Sequence, residues 1–222
     1  MSKKSKFIFF CAVAAFVPAS PCAEFRDVRD GATYETVQIG KQVWMAENLR
    51  FLPRADDEES FDEPEYFVYG YEGSDVTAAK ATNEFRKYGA LYNWKAARNA
   101  CPEGWHLPDT TEWNALYAAV GGENVAAVRL KSKLGWTKNG GGTDDHGFSV
   151  LPAGYRNDYG DFHAAEDYGG FWTADSLNCY AAFYNTFYYY YDNVFSGAVG
   201  KGAGGDPWVR RSYGFSVRCL KD

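Results

Sequence analysis

GTDDHGFSVLPAGYR, at residues 142–156, opens the part of the chain that decides the fold. FWTA follows at 171–174, the aromatic tract YAAFYNTFYYYYDNV occupies 180–194, and GFSVRC closes the region at 214–219. Short runs of aromatic and β-branched residues between turn-forming glycine, asparagine and aspartate residues are typical of strands. The region therefore predicts a sheet-rich half, supported by helices and a hairpin in the segments before it.

The aromatic tract predicts a strand at 180–191 with two unlike faces, because successive side chains alternate. One face carries Ala181, Phe183, Asn185 and Phe187, and the other carries Ala182, Tyr184, Thr186, Tyr188 and Tyr190. Phenylalanine has no polar atom to leave unpaired, so its face is expected to point to the core. The tyrosine face can lie in water with its hydroxyls outward.

Flat rings beside Asp, Asn and Arg side chains suit carbohydrate and peptide recognition, because the rings cover apolar surfaces and the polar tips fix orientation. The candidate ligand-binding residues are therefore Tyr184, Tyr188, Tyr190, Asp192, Asn193, Trp208 and Arg210. The alternative is that tyrosine pairs on neighbouring strands stabilise the sheet by roughly 0.2–1 kcal/mol each and bind nothing.

The first half of the chain contains signals for a hairpin and a loop. YETVQI and QVWMA, within 27–48, flank a turn at Gly40 and Lys41, which predicts a β-hairpin. Residues 51–64 combine two prolines with a cluster of carboxylates and predict an exposed loop.

Three helices are predicted between that loop and the sheet-rich half. Apolar residues at helical spacing indicate helices at 88–100 and 110–120, and residues 124–134 are expected to form a shorter helix or a helical turn. Asp109 and Glu112 form a capping box at the start of the second of these helices.

The N-terminal segment predicts export. Residues 1–23 combine three lysines, an apolar run and small residues, as in a secretory signal peptide. Lipid attachment at Cys22 is the alternative to plain cleavage. Removal of residues 1–23 takes away those three lysines and leaves 20 basic against 29 acidic residues, a net charge of −9. This acidic balance argues against nucleic acid as a partner, and no apolar run beyond the signal reaches membrane length.

An extracytoplasmic compartment allows disulfides to persist. Cys101, Cys179 and Cys219 remain after the signal, so at most one intramolecular pair forms among them. We expect Cys101–Cys219, which would tie the last strand to the first half of the chain, with Cys179 free or buried; the other pairings stay open. The three cysteines lack the spacing of a zinc site.

Six motifs occur in a fixed order and carry a family resemblance. They are IGKQVWMAENLRF, YGALYNWKAA, CPEGWHLPDTTEW, GTDDHGFSVLPAGYR, FWTA and GFSVRC. From about residue 25 to residue 222 the chain resembles the Fibrobacter succinogenes major paralogous domain, a secreted bacterial domain with no established activity. The resemblance implies an α+β, C-type-lectin-like fold, with two main helices packed on a twisted antiparallel sheet and long irregular loops. It makes residues 24–222 one domain.

The sequence contains no arrangement of residues that requires a catalytic function. His146 follows two aspartates, but TDDHG is also a good turn sequence. HLPDTTEW and GFSVRC resemble elements of formylglycine-generating, sulfatase-modifying proteins, but the tract at 208–218 lacks the cysteine pair with which those enzymes hold copper. We therefore expect no catalytic residue, metal or cofactor.

The expected function is a secreted or surface-tethered, non-catalytic binding module, whose partner is an extracellular glycan or a cell-surface protein. An enzyme related to the sulfatase-modifying group and a structural cell-envelope protein are the alternatives.

Overall fold

The computed structural model describes residues 23–58, 60, 62–196 and 209–222. The predicted signal peptide, apart from Ala23, lies outside the described residues, as does Cys22. The strands are β1 (Ala23–Arg26), β2 (Thr33–Ile39), β3 (Gln42–Met45), β4 (Tyr66–Phe67), β5 (Leu91–Tyr92), β6 (Trp105–His106), β7 (Tyr155–Arg156), β8 (Phe162–His163), β9 (Tyr168–Ser176), β10 (Ala181–Tyr188), β11 (Phe195–Ser196), β12 (Val209–Arg210) and β13 (Leu220–Lys221). The helices are α1 (Val76–Ala81), α2 (Asn83–Tyr88), α3 (Trp94–Ala97), α4 (Thr110–Ala119) and α5 (Glu123–Leu130).

The first sheet has five antiparallel strands in the order β1-β2-β3-β13-β6. The predicted hairpin is confirmed: Ile39 pairs with Gln42 across a turn in which Gly40 has a φ of 61°. Glycine adopts that left-handed conformation without a steric penalty, as a two-residue hairpin turn requires. β13 lies between β3 and β6, where Leu220 pairs with both Trp44 and His106.

The second sheet is built around β10, and β9 pairs with it from Ala182 to Tyr188. β11 pairs with Asn185 and Thr186, and β12 pairs with Ala181 and Ala182. Because β9 already occupies one edge of β10 at Ala182 and Asn185, β11 and β12 lie along the opposite edge. The predicted strand at 180–191 is confirmed, although its regular pairing ends at Tyr188.

α4 begins with the capping box that the sequence predicts. The Asp109 side chain accepts from the Glu112 amide at 2.8 Å, and Glu112 accepts from the Asp109 amide at 2.9 Å. Both bonds use amides at the start of the helix that lack intrahelical partners. Trp113 and its helical neighbours then pack into a buried cluster with Trp44 and Phe171.

The helix predicted at 88–100 is wrong in most of its length. Gly89 has a φ of 78° and ends α2, and residues Leu91 and Tyr92 form strand β5. Asn93 then caps the four-residue helix α3 by accepting from the Ala96 amide at 2.9 Å. Periodic apolar residues favour a helix, but here the backbone pairs with β4 and is buried on both sides.

Two other sequence predictions can be compared with the structure, one on the end of α5 and one on the acidic segment. α5 ends at Leu130 rather than near residue 134, because Lys131 is extended and pairs with Val150. The acidic segment at 51–64 forms neither helix nor strand in its described residues, as predicted.

Cys101 and Cys219 form the expected disulfide, with a Cα–Cα distance of 5.8 Å. Cys179 is a free, exposed cysteine. The bridge ties the segment after α3 to the residue before β13, which lies between β3 and β6 in the first sheet. Together, the antiparallel sheets and the five helices of the described chain place the fold in the α+β class, as predicted.

Arg218, within the GFSVRC motif, is fully buried and joins the two halves of the fold. Its guanidinium donates to Asn48 Oδ1 at 2.7 Å and to the carbonyl oxygens of Met45 and Phe148. Burial lowers its pKa to about 9, against the opposing influence of Glu47 and Asp144. The motif therefore serves structure at this position, because every polar contact of the guanidinium goes to the protein interior.

Candidate ligand-binding face

Seven partly or largely exposed aromatic side chains are linked directly or through the buried rings of Tyr168 and Phe215, and we call the surface they form the aromatic face. Its members are Tyr155, Tyr184, Tyr188, Tyr190, Tyr191, Phe195 and Tyr213. Neighbouring rings touch: the Tyr188–Tyr190, Tyr190–Tyr191 and Tyr191–Phe195 centroid distances are 5.7, 4.3 and 5.0 Å. At the other end Tyr155 stacks on Tyr213 with an interplanar angle of 15°.

Buried rings form the floor of this face. Tyr184 lies parallel to Phe215 at 5.1 Å, and Tyr188 meets the buried Tyr168 edge-to-face at 5.1 Å. Gly170 of β9 makes room for that floor, because a Cβ at this position would lie 2.6 Å from the ring of Phe215. The floor fixes the tilt of the exposed rings, which reduces the ordering cost of binding.

Both faces of β10 are packed. Phe187 meets Phe171 edge-to-face at 6.0 Å on one side, while Tyr184 and Tyr188 join the other buried cluster. The tyrosine side is therefore half-buried, not fully in water as alternation alone suggested. Phe183, predicted for the core side, is also only half-buried, because β9 and β10 shift register between Ala182 and Tyr184.

Three of the predicted contact residues, Tyr184, Tyr188 and Tyr190, lie together on the aromatic face. Tyr190 is the most open of them, with 52% of its surface exposed. Burial raises the pKa of Tyr188 to about 12, with Tyr184 and Tyr190 adding to the effect. Its hydroxyl therefore stays protonated at neutral pH and can donate a hydrogen bond.

A buried lysine holds the turn that presents Tyr189–Tyr191. Lys131 Nζ donates to the carbonyl oxygens of Tyr188 and Tyr191 at 3.1 and 3.2 Å, and Lys131 is only 2% exposed. Burial lowers the pKa of Lys131, and Asp192 opposes that shift. Lys131 Nζ also makes a longer contact, of 3.5 Å, with the carbonyl oxygen of Tyr189. One lysine side chain thus binds three backbone carbonyl groups of this turn.

Asp192 and Asn193 turn the chain away from the aromatic face and towards α5. The carbonyl oxygen of Asp192 accepts from the Ala127 amide at 3.1 Å. Asp192 is exposed and Asn193 half-buried at the edge of the face. Their first role is thus to join β10 to α5, and they remain at the periphery of the predicted contact set.

Arg210 lies near the opposite end of the aromatic face. Its guanidinium pairs with Asp158 at 2.8 Å, and 56% of the arginine side chain is exposed against 8% of the aspartate. Burial, followed by Asp158, raises the pKa of the neighbouring Tyr213 to about 12. A protonated hydroxyl and a cationic head therefore flank the rings here. Trp208, the remaining predicted residue, lies outside the described residues.

The sequence prediction missed the members of the face that come from other parts of the chain. Tyr155 and Tyr213 meet because Arg156 and Gly214 exchange backbone hydrogen bonds of 3.0 and 2.9 Å. A sequence signal existed, since each tyrosine adjoins a glycine of a motif. A glycine next to a tyrosine does not indicate which other segment lies beside it, so the contact between Tyr155 and Tyr213 could not be inferred from the sequence.

His106 serves local structure. His106 Nδ1 lies 2.7 Å from Asp222 and Nε2 lies 2.9 Å from Glu112. Burial alone would lower the pKa of His106, but the hydrogen bonds to these two carboxylates outweigh it and raise the pKa. The ring therefore links β6 to the start of α4.

The turn predicted at TDDHG is present. The Gly147 amide donates to the Asp144 carbonyl at 3.3 Å, and the Asp144 side chain accepts from the Ser149 amide at 2.8 Å. Among the described residues, no group of three or more His, Cys, Asp or Glu side chains is arranged to hold a metal ion.

Comparison with known sequences places the chain in a family. The sequence model of the Fibrobacter succinogenes major domain matches residues 37–221. The chain belongs to this family. The match extends from β2 to β13 and so includes every described member of the aromatic face. No curated protein and no solved structure gives a significant match.

The description of the Fibrobacter succinogenes major domain specifies no activity. The function must therefore be argued from the face itself. In the described part of this domain, no helix combines the length and the apolar character needed to cross a bilayer.

Proposed function

We propose that this Fibrobacter succinogenes major domain is a non-catalytic binding module whose aromatic face binds an extracellular glycan or a cell-surface protein. The observation that carries the proposal is the set of seven solvent-accessible rings that lie on, or next to rings that lie on, a buried aromatic floor. Contiguous exposed aromatic surface is uncommon on a soluble domain and marks interaction sites.

The chemistry of the face suits a ligand with both apolar and polar surface. Ring faces cover the C–H side of a pyranose or an apolar side chain, and the protonated hydroxyls of Tyr188 and Tyr213 donate hydrogen bonds. Arg210 supplies a charged donor at the edge, although Asp158 already uses part of its capacity. A flat face with fixed rings recognises shape at a low entropic cost.

We further propose that the fold is C-type-lectin-like. Support comes from α4 and α5 packed against antiparallel sheet, and from long irregular segments such as 131–154 between the elements. In a fold of this type, strands and loops of the second half carry ligand, which is where the aromatic face lies.

Export is part of the proposal. The signal-like sequence at 1–23 indicates passage out of the cytoplasm, followed by cleavage or by lipidation at Cys22. The Cys101–Cys219 disulfide is consistent with an oxidising compartment. Secretion or surface tethering brings the aromatic face to extracellular glycans and proteins.

The non-catalytic assignment rests on the cysteines. Tract 208–218 holds none, and Cys219 is consumed in a buried disulfide. Copper-dependent oxygen chemistry of the sulfatase-modifying type needs free thiolates at a metal site, and this tract does not offer them.

A glycan array and a panel of bacterial surface proteins, probed with the purified protein, test the proposal. Tyr190→Ala is the first variant, because Tyr190 is exposed and its removal leaves the floor intact. Tyr180→Ala is the matched control: Tyr180 is 69% exposed but lies outside the face. We expect binding that Tyr190→Ala weakens and Tyr180→Ala retains. Equal binding by both variants, or no binding by the wild type, would contradict the proposal.

A further inference from the structure

A cavity lies on the side of the β7–β8 hairpin that faces away from the aromatic face. Tyr155 pairs with His163 in this hairpin, and Arg156 pairs with Phe162. Because side chains alternate along a strand, Tyr155 reaches the aromatic face while Arg156 and Phe162 line the cavity. The cavity has a volume of about 450 Å³, within the range of small-molecule sites.

Carboxylates surround the mouth of this cavity. Asp57, Glu58, Glu72 and Asp161 line it and are exposed. In the described part of the chain, none of the four forms an ion pair. Each can therefore accept hydrogen bonds from a ligand.

Arg156 is the buried polar group of the cavity, and it is only 3% exposed. Its guanidinium lies 4.3 Å from the ring centroid of Phe67, and Nη2 donates to the carbonyl oxygen of Asp57 at 2.8 Å. Nη1 is buried without a hydrogen-bond partner among the described residues. An unpaired nitrogen on a buried cation is costly, and a bound molecule that brings an acceptor to Nη1, with a small shift of the surrounding side chains, would satisfy it.

The charges select the class of ligand. A simple cation is attracted by the four carboxylates but offers no acceptor to Arg156, while an anion is repelled by those carboxylates. A neutral polyhydroxylated molecule satisfies both, because each hydroxyl donates to a carboxylate and accepts from a guanidinium. The rings of Tyr71, Tyr159 and Phe162 offer apolar faces to the C–H side of such a molecule.

We propose that this cavity is a separate binding site for a neutral monosaccharide unit. Glu72 and Asp161 accept hydrogen bonds from its hydroxyls, Arg156 donates to one of its oxygens, and the ring of Tyr159 covers one face. The site is independent of the aromatic face, since it lies on the opposite side of the β7–β8 hairpin.

Nuclear magnetic resonance titration of the purified, ¹⁵N-labelled protein tests the proposal. The probes are the methyl glycosides of glucose, galactose, mannose and N-acetylglucosamine, with cadaverine as a cation and glucuronate as an anion. We expect at least one neutral glycoside to give saturable shifts at the amides of Asp57 and Asp161, with little dependence on salt. The assignment would be overturned if none of the four glycosides shifted these amide signals, or if only cadaverine or glucuronate gave saturable shifts.

Two variants localise the response. Tyr159→Ala removes a ring that is 79% exposed, so the fold is retained, and we expect the affinity to fall at least about fivefold. Glu103→Gln changes an exposed carboxylate outside the cavity and is expected to leave the affinity unchanged. Tyr190→Ala must also leave it unchanged, which separates this site from the aromatic face. Unaltered affinity in Tyr159→Ala, or a loss in Tyr190→Ala, would refute the site.

Discussion

Opening the Cys101–Cys219 disulfide is expected to cost this domain a large part of its stability. The bridge spans 118 positions of sequence, and its Cys219 sulfur lies in the fully buried part of the core. The perturbation is the double substitution Cys101→Ala/Cys219→Ala, or reduction of the wild-type protein under native conditions.

The magnitude follows from the length of the loop that the bridge closes. In the chain-entropy treatment, a cross-link over 118 positions destabilises the unfolded state by about 5 kcal/mol at 25 °C. Single domains are stable by about 5–15 kcal/mol, so this is a third or more of the total. For a domain of this size, the corresponding fall in melting temperature is about 10–20 °C.

Urea denaturation followed by tryptophan fluorescence measures the effect. The oxidised and reduced proteins are compared in a Cys179→Ala background, because the exposed thiol of Cys179 would otherwise permit disulfide exchange. The oxidised Cys179→Ala protein is the matched control and should unfold at the wild-type midpoint. A change in the slope of the transition would report a change in the unfolded ensemble.

A loss below about 1 kcal/mol in the reduced protein would refute the loop-entropy reasoning. That result would mean that β13 and its neighbours already restrict the unfolded chain without the bridge. Equal losses on reduction and in the double alanine variant would show that constraint, not sulfur packing, is the source of the stability.

Three further perturbations probe other contacts. Gly170→Ala would place a Cβ 2.6 Å from the ring of Phe215 and is expected to destabilise the protein by about 1–3 kcal/mol in urea unfolding; an effect within about 0.5 kcal/mol would show that the floor adapts. His106 has a raised pKa in the folded state, so its contribution to stability is present in full below about pH 6.5 and is lost as pH rises through the folded pKa. His106→Gln should abolish this part of the pH dependence in thermal unfolding, and an identical pH profile in the variant would contradict the assignment. Lys131→Met leaves the carbonyls of the tyrosine turn without their donor and is expected to lower the free energy of unfolding by about 1–3 kcal/mol. It should also alter the near-ultraviolet circular dichroism of the tyrosines. An unchanged spectrum and an unchanged unfolding midpoint would count against that role of Lys131.

Local signals in the sequence were sufficient for the features whose partners lie nearby. The capping box of Asp109 and Glu112 and the hairpin turn at Gly40 each depend on a few adjacent residues. The pairing of Cys101 with Cys219 could be proposed because only three cysteines lie beyond the predicted signal peptide. The α+β class was expected from the family resemblance, which rests on six motifs in a fixed order.

Features set by distant partners could not be predicted from local patterns. Alternation placed Tyr184 and Tyr188 on one side of β10, but it could not show that Phe215 and Tyr168 cover half of each ring. The helical pattern at 88–100 failed for the same reason, since pairing between β4 and β5 outweighed a local helical preference. Propensity describes a segment alone, whereas these positions are decided by what packs on them.

The place of β13 in the first sheet governs when this protein can fold during its synthesis. β3 and β6 emerge from the ribosome early, but the strand that joins them contains Leu220 and is made after every other described element. Until then both strands offer unpaired edges, which invite association with other chains. The edges of β3 and β6 are therefore expected to need protection until Leu220 and Lys221 have been made, and holding chaperones are expected to raise the yield of the folded domain in cells.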